Sequence, residues 1–349
     1  MPNTLVLNAG STSIKYKLFD EVEKELAQGQ VNTVKDYPSS FKQILRQVIK
    51  FGEISLVGHR VVHGGWRFTE PTIIGQTELA DLAEFNHLAP LHNPYNFEGI
   101  KVAMEFLPES KNVAVFDTGF FAELPDEAKT YAIPNKVSEQ YHLRRYGFHG
   151  ISHNYAMLNA AEIFNIKLHS LNLISVHLGG GCSVAAIKRG KAIDISNGFT
   201  PNEGLIMMSR SGDIDSGLVL ELLRLLPGTI NAEKVEALNH LLNYESGIKG
   251  LSPRDHDFVE LLRSVSLSQS AATRAFNLFV YRIVKYVGAY WAVLGGDVDG
   301  IVFTGAIGAG QAQTRNAIMR RLKFLSGIPT IVIKPNEELL IARQARTIV

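Results

Sequence analysis

Leu5-Val6-Leu7-Asn8-Ala9-Gly10-Ser11-Thr12-Ser13-Ile14-Lys15-Tyr16-Lys17-Leu18-Phe19 has a counterpart in the second half of the chain. That counterpart is Leu173-Ile174-Ser175-Val176-His177-Leu178-Gly179-Gly180-Gly181-Cys182-Ser183-Val184-Ala185-Ala186-Ile187. Each reads as an apolar strand, one polar residue, a glycine-containing turn, a hydroxyl residue and a second strand with alternating apolar positions. A turn of this kind aims backbone N–H groups and hydroxyls at one point, which suits a phosphate chain. Two of them predict a duplicated α/β fold with phosphate held between the halves.

The rest of the chain fits that outline. It has 349 residues, 46% of them hydrophobic, enough for two domains with substantial cores. Lys plus Arg number 35 against 34 for Asp plus Glu. That balance argues against a nucleic-acid or membrane-surface partner, so any functional positive charge must be placed locally. Cys182 is the single cysteine, which excludes an intrachain disulfide framework and fits a reducing compartment. No basic region followed by an apolar run opens the chain, and Asp297 and Asp299 interrupt the apolar stretch from Val287 to Phe303. Neither a signal peptide nor a membrane span is expected, and a cytoplasmic protein is.

Periodicity places strands at 4–8, 13–19, 55–62, 113–116, 299–303 and 330–333. Phe41, Ile44, Leu45 and Val48 recur at helical spacing, predicting a helix over 40–51. Further helices are predicted at 77–85, from Asn93-Pro94 to Phe106, at 217–226, 232–243 and 268–294, and after Asn336-Glu337-Glu338. Ser152 suits the cap of another that runs to about Phe164. The strand–turn–strand signature restarts after 147–152, which marks the domain boundary. The βα order predicts a central sheet in each half.

Several segments carry chemistry. Asn8 to Lys15 lacks the Gly-Lys-Ser/Thr ending of a Walker A loop and precedes a strand. A phosphate cradle and a polar hairpin turn both fit it. Gly58-His59-Arg60-Val61-Val62-His63-Gly64-Gly65 puts Arg60 at a strand end, where a guanidinium forks onto carboxylate or phosphate. A surface arginine between structural histidines is the alternative. Phe116-Asp117-Thr118 sets a carboxylate just after an apolar strand, where ligand crevices open in α/β proteins. Such an aspartate orients a metal or nucleophile, or caps the next turn. Arg144 to His153 is dense in donors, with His149 near Gly147 and Gly150. Phe199-Thr200-Pro201 to Asp215 adds Arg210 in a Ser/Gly/Asp loop that also reads as a plain connection. Zinc spacing is absent, whereas Asn8, Asp117 and Glu337 are oxygen ligands of the type magnesium accepts.

Taken in order from Leu5 to Arg343, these segments resemble the acetate/propionate/butyrate kinase family of the actin-like and sugar-kinase superfamily. Leu88-Ala89-Pro90-Leu91-His92-Asn93-Pro94, His177-Leu178-Gly179, Gly198 to Pro201 and Asn336-Glu337-Glu338 belong to the same set. The resemblance implies a duplicated two-domain actin-like ATPase fold, with a ribonuclease H-like motif in each domain and a central cleft. Residues 1–149 with 334–349 would form the acyl-substrate and metal domain. Residues 150–333 would carry the nucleotide loops and the interface of a homodimer. Asp117, His149 and Arg210 match the catalytic positions, and Arg60 the arginine that binds the acyl group. Val62, Leu91, Phe148 and Pro201 match the pocket around its methyl, and His92 and His177 match further active-site histidines. Asn8 and Glu337 match the magnesium positions, with manganese as an alternative metal. Lys15, Ser11, Ser13, His177, Gly179, Gly180, Gly181, Asp257, Gly305, Ala306, Ile307 and Gly308 fall at positions expected to hold ATP or ADP.

The implied reaction is reversible phosphoryl transfer from ATP to the carboxylate of acetate. Arg60, Arg210 and magnesium would hold two anions together while His149 donates to an equatorial oxygen of the transferring group. Asp117 would position the acyl carboxylate or the metal. No base is needed, because acetate is already ionised. Departures from the family pattern fall on the nucleotide side. Gly180 replaces an asparagine, Ala309-Gly310 replace a Glu-Asn pair, and Val259 stands where an arginine is usual. The chain is also short between Phe19 and Leu56. The expectation is intact acyl phosphate chemistry with an altered donor: weakly bound ATP, another nucleotide or pyrophosphate. A propionate or other short-chain acyl kinase is an alternative reading. A non-catalytic nucleotide- or acyl-phosphate-binding regulator fits the eroded loops but not the retained Arg60, Asp117, His149 and Arg210. A sugar kinase would need a base and a polar pocket, against the apolar Val62, Leu91, Phe148 and Pro201.

Overall fold

In the computed structural model, which describes residues 3–10 and 13–349, both glycine-centred segments form antiparallel hairpins. The first pairs β1 (Asn3–Ala9) with β2 (Ser13–Phe19), setting Asn8 opposite Lys15. Ser11 lies outside the described residues. β3 (Glu25–Asn32) extends the hairpin on the β2 side, and β4 (Ile54–Val61) pairs parallel with β1 on the other. With β5 (Thr72–Ile73) and β6 (Lys111–Phe116) the sheet order is β3-β2-β1-β4-β6-β5. The second half repeats the plan with β7 (Leu173–Leu178), β8 (Cys182–Lys188), β9 (Lys191–Ile195), β10 (Gly300–Thr304) and β11 (Thr330–Val332). Its order is β11-β10-β7-β8-β9, again an antiparallel three-strand meander with parallel strands added beside the first strand.

The chain divides into two compact units. The first comprises Met1–Ala122, Phe148–Tyr155 and Asn336–Val349, and the second Glu123–Gly147 and Ala156–Pro335. Residues 123–147, expected with the first domain, thus belong to the second unit. Arg145 ties them there, donating to the carbonyls of Ala128, Ile195 and Asn197. In the first core, Leu5, Leu7 and Ile14 pack with Phe41, Ile44 and Leu45 of the helix Tyr37–Val48. In the second, Ile174, Val176 and Val184 pack with Phe279, Ile283 and Val287 of the helix Ser270–Val293. Both helices carry the apolar stripe that 3.6-residue spacing makes legible.

Several elements differ from the sequence reading. The helix Gly150–Phe164 begins two residues ahead of Ser152, which is buried inside it rather than capping it. The helix read as 232–243 ends at His240 and continues as a π-helical turn, Leu241–Glu245. Gly305 to Gly310 is a short helix rather than a loop. Strands β3 and β9 are not legible in the sequence, because neither carries a clear run of bulky alternating residues. Among the described residues, no helix is long and apolar enough to cross a membrane.

Candidate active site

In the first unit, β1, β4 and β6 bring Asn8, Arg60 and Asp117 together at their C-terminal ends. Asp117 follows β6, its backbone N–H donating to the Val61 carbonyl at 3.0 Å. Its side chain is buried. Oδ2 accepts from Arg60 Nε at 3.1 Å and from Arg60 Nη2. Oδ1 is buried with no hydrogen-bond partner among the described residues. Arg60 Nη1 donates to Asn8 Oδ1 at 3.1 Å, and Asn8 Nδ2 donates to Glu338 Oε1 at 3.3 Å. Both ends of the Asn8 amide are therefore engaged by protein. A guanidinium has five N–H donors, so one remains on each terminal nitrogen of Arg60, a fork fixed at its base by Asp117.

The last helix, Glu337–Arg346, adds more acid. Glu337 Oε2 lies 4.0 Å from Arg60 Nε. Lys17 Nζ steadies the start of this helix by donating to Asn336 Oδ1 at 3.0 Å. Burial pushes the Glu337 carboxyl up to about 7, and the Asp117 and Glu338 carboxylates add to the rise. Arg60 and Lys15 oppose it. Burial works against the charge of Arg60, but Asp117, Glu337 and Glu338 raise its pKa above the ordinary arginine value. Lys15 is exposed on β2, and Ser13 closes the turn, its carbonyl accepting from Gly10 N at 2.8 Å.

Apolar groups adjoin this polar cluster along the chain. Val62, Ala89 and Phe148 form one buried cluster, and Phe148 meets the His63 ring edge-on at 5.7 Å. Leu91 and His92 are half-buried just before the helix Asn93–Phe106. Two asparagines of that helix hold the end of β4. Asn96 accepts from Val62 N and donates to the Ala9 carbonyl, and Asn93 exchanges bonds with the His63 backbone. Glu338, Ala89, Asn93 and Asn96 are not singled out individually by the sequence, although Ala89 and Asn93 lie in the Leu88–Pro94 motif. Helical phase hints at Asn93 and Asn96; only tertiary structure reveals Glu338 behind Asn8.

His149 has φ +60°, an uncommon conformation for a non-glycine residue, and it precedes the helix starting at Gly150. Gly150 N donates to the Asp117 carbonyl at 3.0 Å. A Cβ on Gly150 would stand 2.1 Å from that oxygen, so only glycine permits the approach. His149 is thereby held beside the Asp117 backbone.

In the second unit, the two glycine segments adjoin. His177 lies one residue before the end of β7, in register with Ser183 and Thr304. The turn after it closes with Gly179 N donating to Gly181 O at 2.9 Å. Gly305 has φ +79°, and a Cβ there would meet the Leu178 carbonyl at 2.3 Å. Gly179 in turn lies close to the backbone N of Ala306, 3.9 Å from where its Cβ would stand. Ile307 and Gly308 are buried, while Gly180 is exposed with open space around it. Asp257 is engaged as the N-cap of the helix Phe258–Ser266, its Oδ1 accepting from Val259 N and Glu260 N at 2.8 Å. The Val259 side chain is exposed. Pro201 is half-buried on a loop pinned by Asn197, whose Nδ2 donates to the Pro201 carbonyl at 3.2 Å.

Arg210 is half-buried and has no carboxylate within ion-pair distance among the described residues. Among the described residues its side chain makes one hydrogen-bonding contact, Nη1 to Met207 Sδ at 3.7 Å. Burial lowers its pKa, which Tyr244 and Cys182 partly offset. A cation held in this way is ready for an external anion. Cys182 is buried, its thiol pushed up to about 12 by burial, which makes it inert packing.

Comparison with known proteins shows which chains share this sequence and fold. A sequence model of the acetokinase family matches residues 36–330. The acetate kinase of Clostridium novyi is 37% identical over 398 residues, covering 99% of this chain and 98% of that protein. Among solved structures, Porphyromonas gingivalis acetate kinase is similar with a TM-score of 0.90 at 34% identity, over 100% of both chains. A propionate kinase from Francisella tularensis gives a TM-score of 0.93 at 31% identity, again over 100% of both.

Proposed function

The chain belongs to the acetokinase family, and on that premise we propose that it transfers a phosphoryl group reversibly between ATP and acetate, forming acetyl phosphate. The supporting observation is the Arg60 fork, immobilised by buried Asp117 at the end of the strand that leads into the Val62–Ala89–Phe148 cluster. A guanidinium with two parallel N–H groups binds a carboxylate, and a small apolar cluster takes its methyl. The same residues admit propionate as a poorer acceptor, since one methylene is worth only ~1–3 kcal/mol of discrimination.

Acetate arrives ionised, so the site must orient and neutralise rather than deprotonate. Arg60 aims one carboxylate oxygen at the terminal phosphorus. His149 donates to an equatorial oxygen of the transferring group, and Arg210 supplies the charge that this group needs as it leaves the donor. His177 and the turns at 179–181 and 305–308 offer backbone donors to the donor phosphates.

A divalent cation fits the first unit. Among the described residues Asp117 keeps one buried oxygen without a partner, and Glu337 sets a second carboxylate 4.0 Å from Arg60. Asp117 and Glu337 would hold magnesium, or manganese, which neutralises phosphoryl oxygens when bound. Among the described residues no group of three or more His, Cys, Asp or Glu is placed to hold a metal, so water and phosphate complete the shell. Asn8, whose amide is spent on Arg60 and Glu338, acts through those two residues.

A second reading concerns the donor. Asp257 holds its helix cap through Oδ1, Val259 is exposed, and Gly180 presents no side chain. Recognition weighted toward phosphates would accept several nucleoside triphosphates or pyrophosphate. We also assign a homodimer formed through the second unit. The helix Ser216–Leu225 buries none of its residues, and Leu218, Leu220 and Leu225 are exposed. The reaction is assigned to the cytoplasm, with no nucleic-acid or membrane partner.

A hydroxamate assay for acetyl phosphate tests the reaction. It is run with acetate, magnesium and a panel of ATP, GTP and pyrophosphate, on the native chain and on Arg210→Ala. Product with the native chain and its loss in the variant support the assignment. No product with any donor would leave a binding protein instead.

A further inference from the structure

Arg210 is a long, flexible side chain whose guanidinium, among the described residues, hydrogen-bonds only a sulfur, a weak acceptor. Its position must therefore be set through its backbone. One side of that backbone is held by the π-helical turn Leu241–Glu245 and the residue after it. Ser211 N donates to the Leu242 carbonyl, Ser209 Oγ to the Asn243 carbonyl, and Ser246 N to the Ser209 carbonyl. The base of the loop is held differently, by one carboxylate. Asp213 N donates to the Gly204 carbonyl at 3.0 Å, and Asp213 Oδ1 accepts from Gly204 N at 2.8 Å, so 204–213 is a closed loop. Asp213 Oδ2 also accepts from Arg282 Nη1 at 3.0 Å and from Tyr286 Oη at 2.9 Å. Arg282 and Tyr286 stand one turn apart on the helix Ser270–Val293, flanking Ile283 and Val287 of the second core.

We propose that Asp213 is a positioning residue for phosphoryl transfer: gripped by Arg282 and Tyr286, it shuts the 204–213 loop against the core helix and so sets where the Arg210 guanidinium stands. This rests on the role given to Arg210 above. Asp213 itself touches no reacting atom. It accepts from the loop and from the core helix with one rigid carboxylate, which makes the loop as stationary as the helix. Without it, the Gly204 N–H, the Tyr286 hydroxyl and the Arg282 guanidinium lose their shared acceptor, and the Arg210 end of the loop loses its tie to the core helix, while the Asp213 N–Gly204 carbonyl bond and the buried Leu205–Met207 segment remain. Misplacing a charge-stabilising group by about 1 Å costs on the order of 100-fold in rate.

The test compares Asp213→Ala, Tyr286→Phe, Arg210→Ala and the two doubles Asp213→Ala/Arg210→Ala and Tyr286→Phe/Arg210→Ala. Steady-state kinetics of acetyl phosphate formation and thermal melting are measured for each. Asp213→Ala is expected to lower kcat by about 100-fold with an unchanged KM for acetate, which the first unit binds. Tyr286→Phe, missing one hydroxyl, is expected to show a smaller loss of the same kind. On the Arg210→Ala background both losses should vanish, because groups acting as one unit are not additive. A purely structural residue would cost the same factor on both backgrounds, and that result overturns the proposal. So does a melting-competent Asp213→Ala with native kcat. Where Asp213→Ala fails to fold, Tyr286→Phe on the two backgrounds decides the question by the same comparison. An Arg210→Ala chain as active as the native one would instead show that the Arg210 assignment is wrong, and the proposal would fall with it.

Discussion

Arg60 shows how much a single residue depends on its setting. Its guanidinium is tied by Asp117 and Asn8, which leaves one N–H on each terminal nitrogen. A lysine supplies the charge but not the fork. Arg60→Lys and Arg60→Ala are therefore both expected to reduce kcat/KM for acetate, the alanine variant by about 100–1000-fold, measured as acetyl hydroxamate. Glu337 offers a pH test. Its pKa stands raised from 4.5 to about 7 by burial and by the neighbouring carboxylates. Below that value the carboxyl is protonated, and a divalent cation must expel the proton to bind. Magnesium affinity should thus fall as pH drops through about 7. Binding near neutrality should release protons, read by calorimetry in buffers of different ionisation heat. Glu337→Gln should abolish the release.

Elements carry these residues to their places, and two of them invite measurement. The helix Gly150–Phe164 starts hard against the Asp117 carbonyl. Gly150→Ala would force that start away and take His149 with it, so activity should drop by about 100-fold in a chain that still melts cooperatively. Asp257 caps the helix Phe258–Ser266. Asp257→Ala should lower unfolding stability by about 0.5–2 kcal/mol in urea titration. Legibility is uneven at this scale. The helix Tyr37–Val48 announces itself, because Phe41, Ile44, Leu45 and Val48 form one stripe and all are buried. Strand β3 does not, since Glu25–Asn32 is a mostly polar strand without fully buried residues, held by its pairing to β2. Gly305–Gly310 reads as a loop because glycine disfavours helix. Arg315 offsets this by donating to the carbonyls of Gly308 and Ala309, where the short helix ends.

For the whole molecule, the duplicated strand order suits a division of labour between the two units. Each unit has a meander and parallel strands, the plan of the actin-like fold, and each sheet ends in its own polar turn. Arg60, proposed to bind the acyl group, belongs to the first unit and the adjoining glycine turns to the second. Arg60→Ala should therefore bind nucleotide with native affinity in calorimetry while losing acetate turnover. A parallel loss of nucleotide binding would show that the units do not divide the substrates in this way.

Local chemistry in the chain is enough to announce two hairpins, their helices, and arginine, aspartate and glycine residues suited to anion binding, while acyl phosphate chemistry comes with the family resemblance. Those features depend on spacing along the backbone, which the order of residues encodes directly. Folding alone decided that Asn8 spends its amide on Arg60 and Glu338, that Asp257 caps a helix, and that 123–147 packs with the second unit. These depend on which distant groups compete for the same hydrogen bonds and buried space, and that competition exists only once the chain has closed on itself.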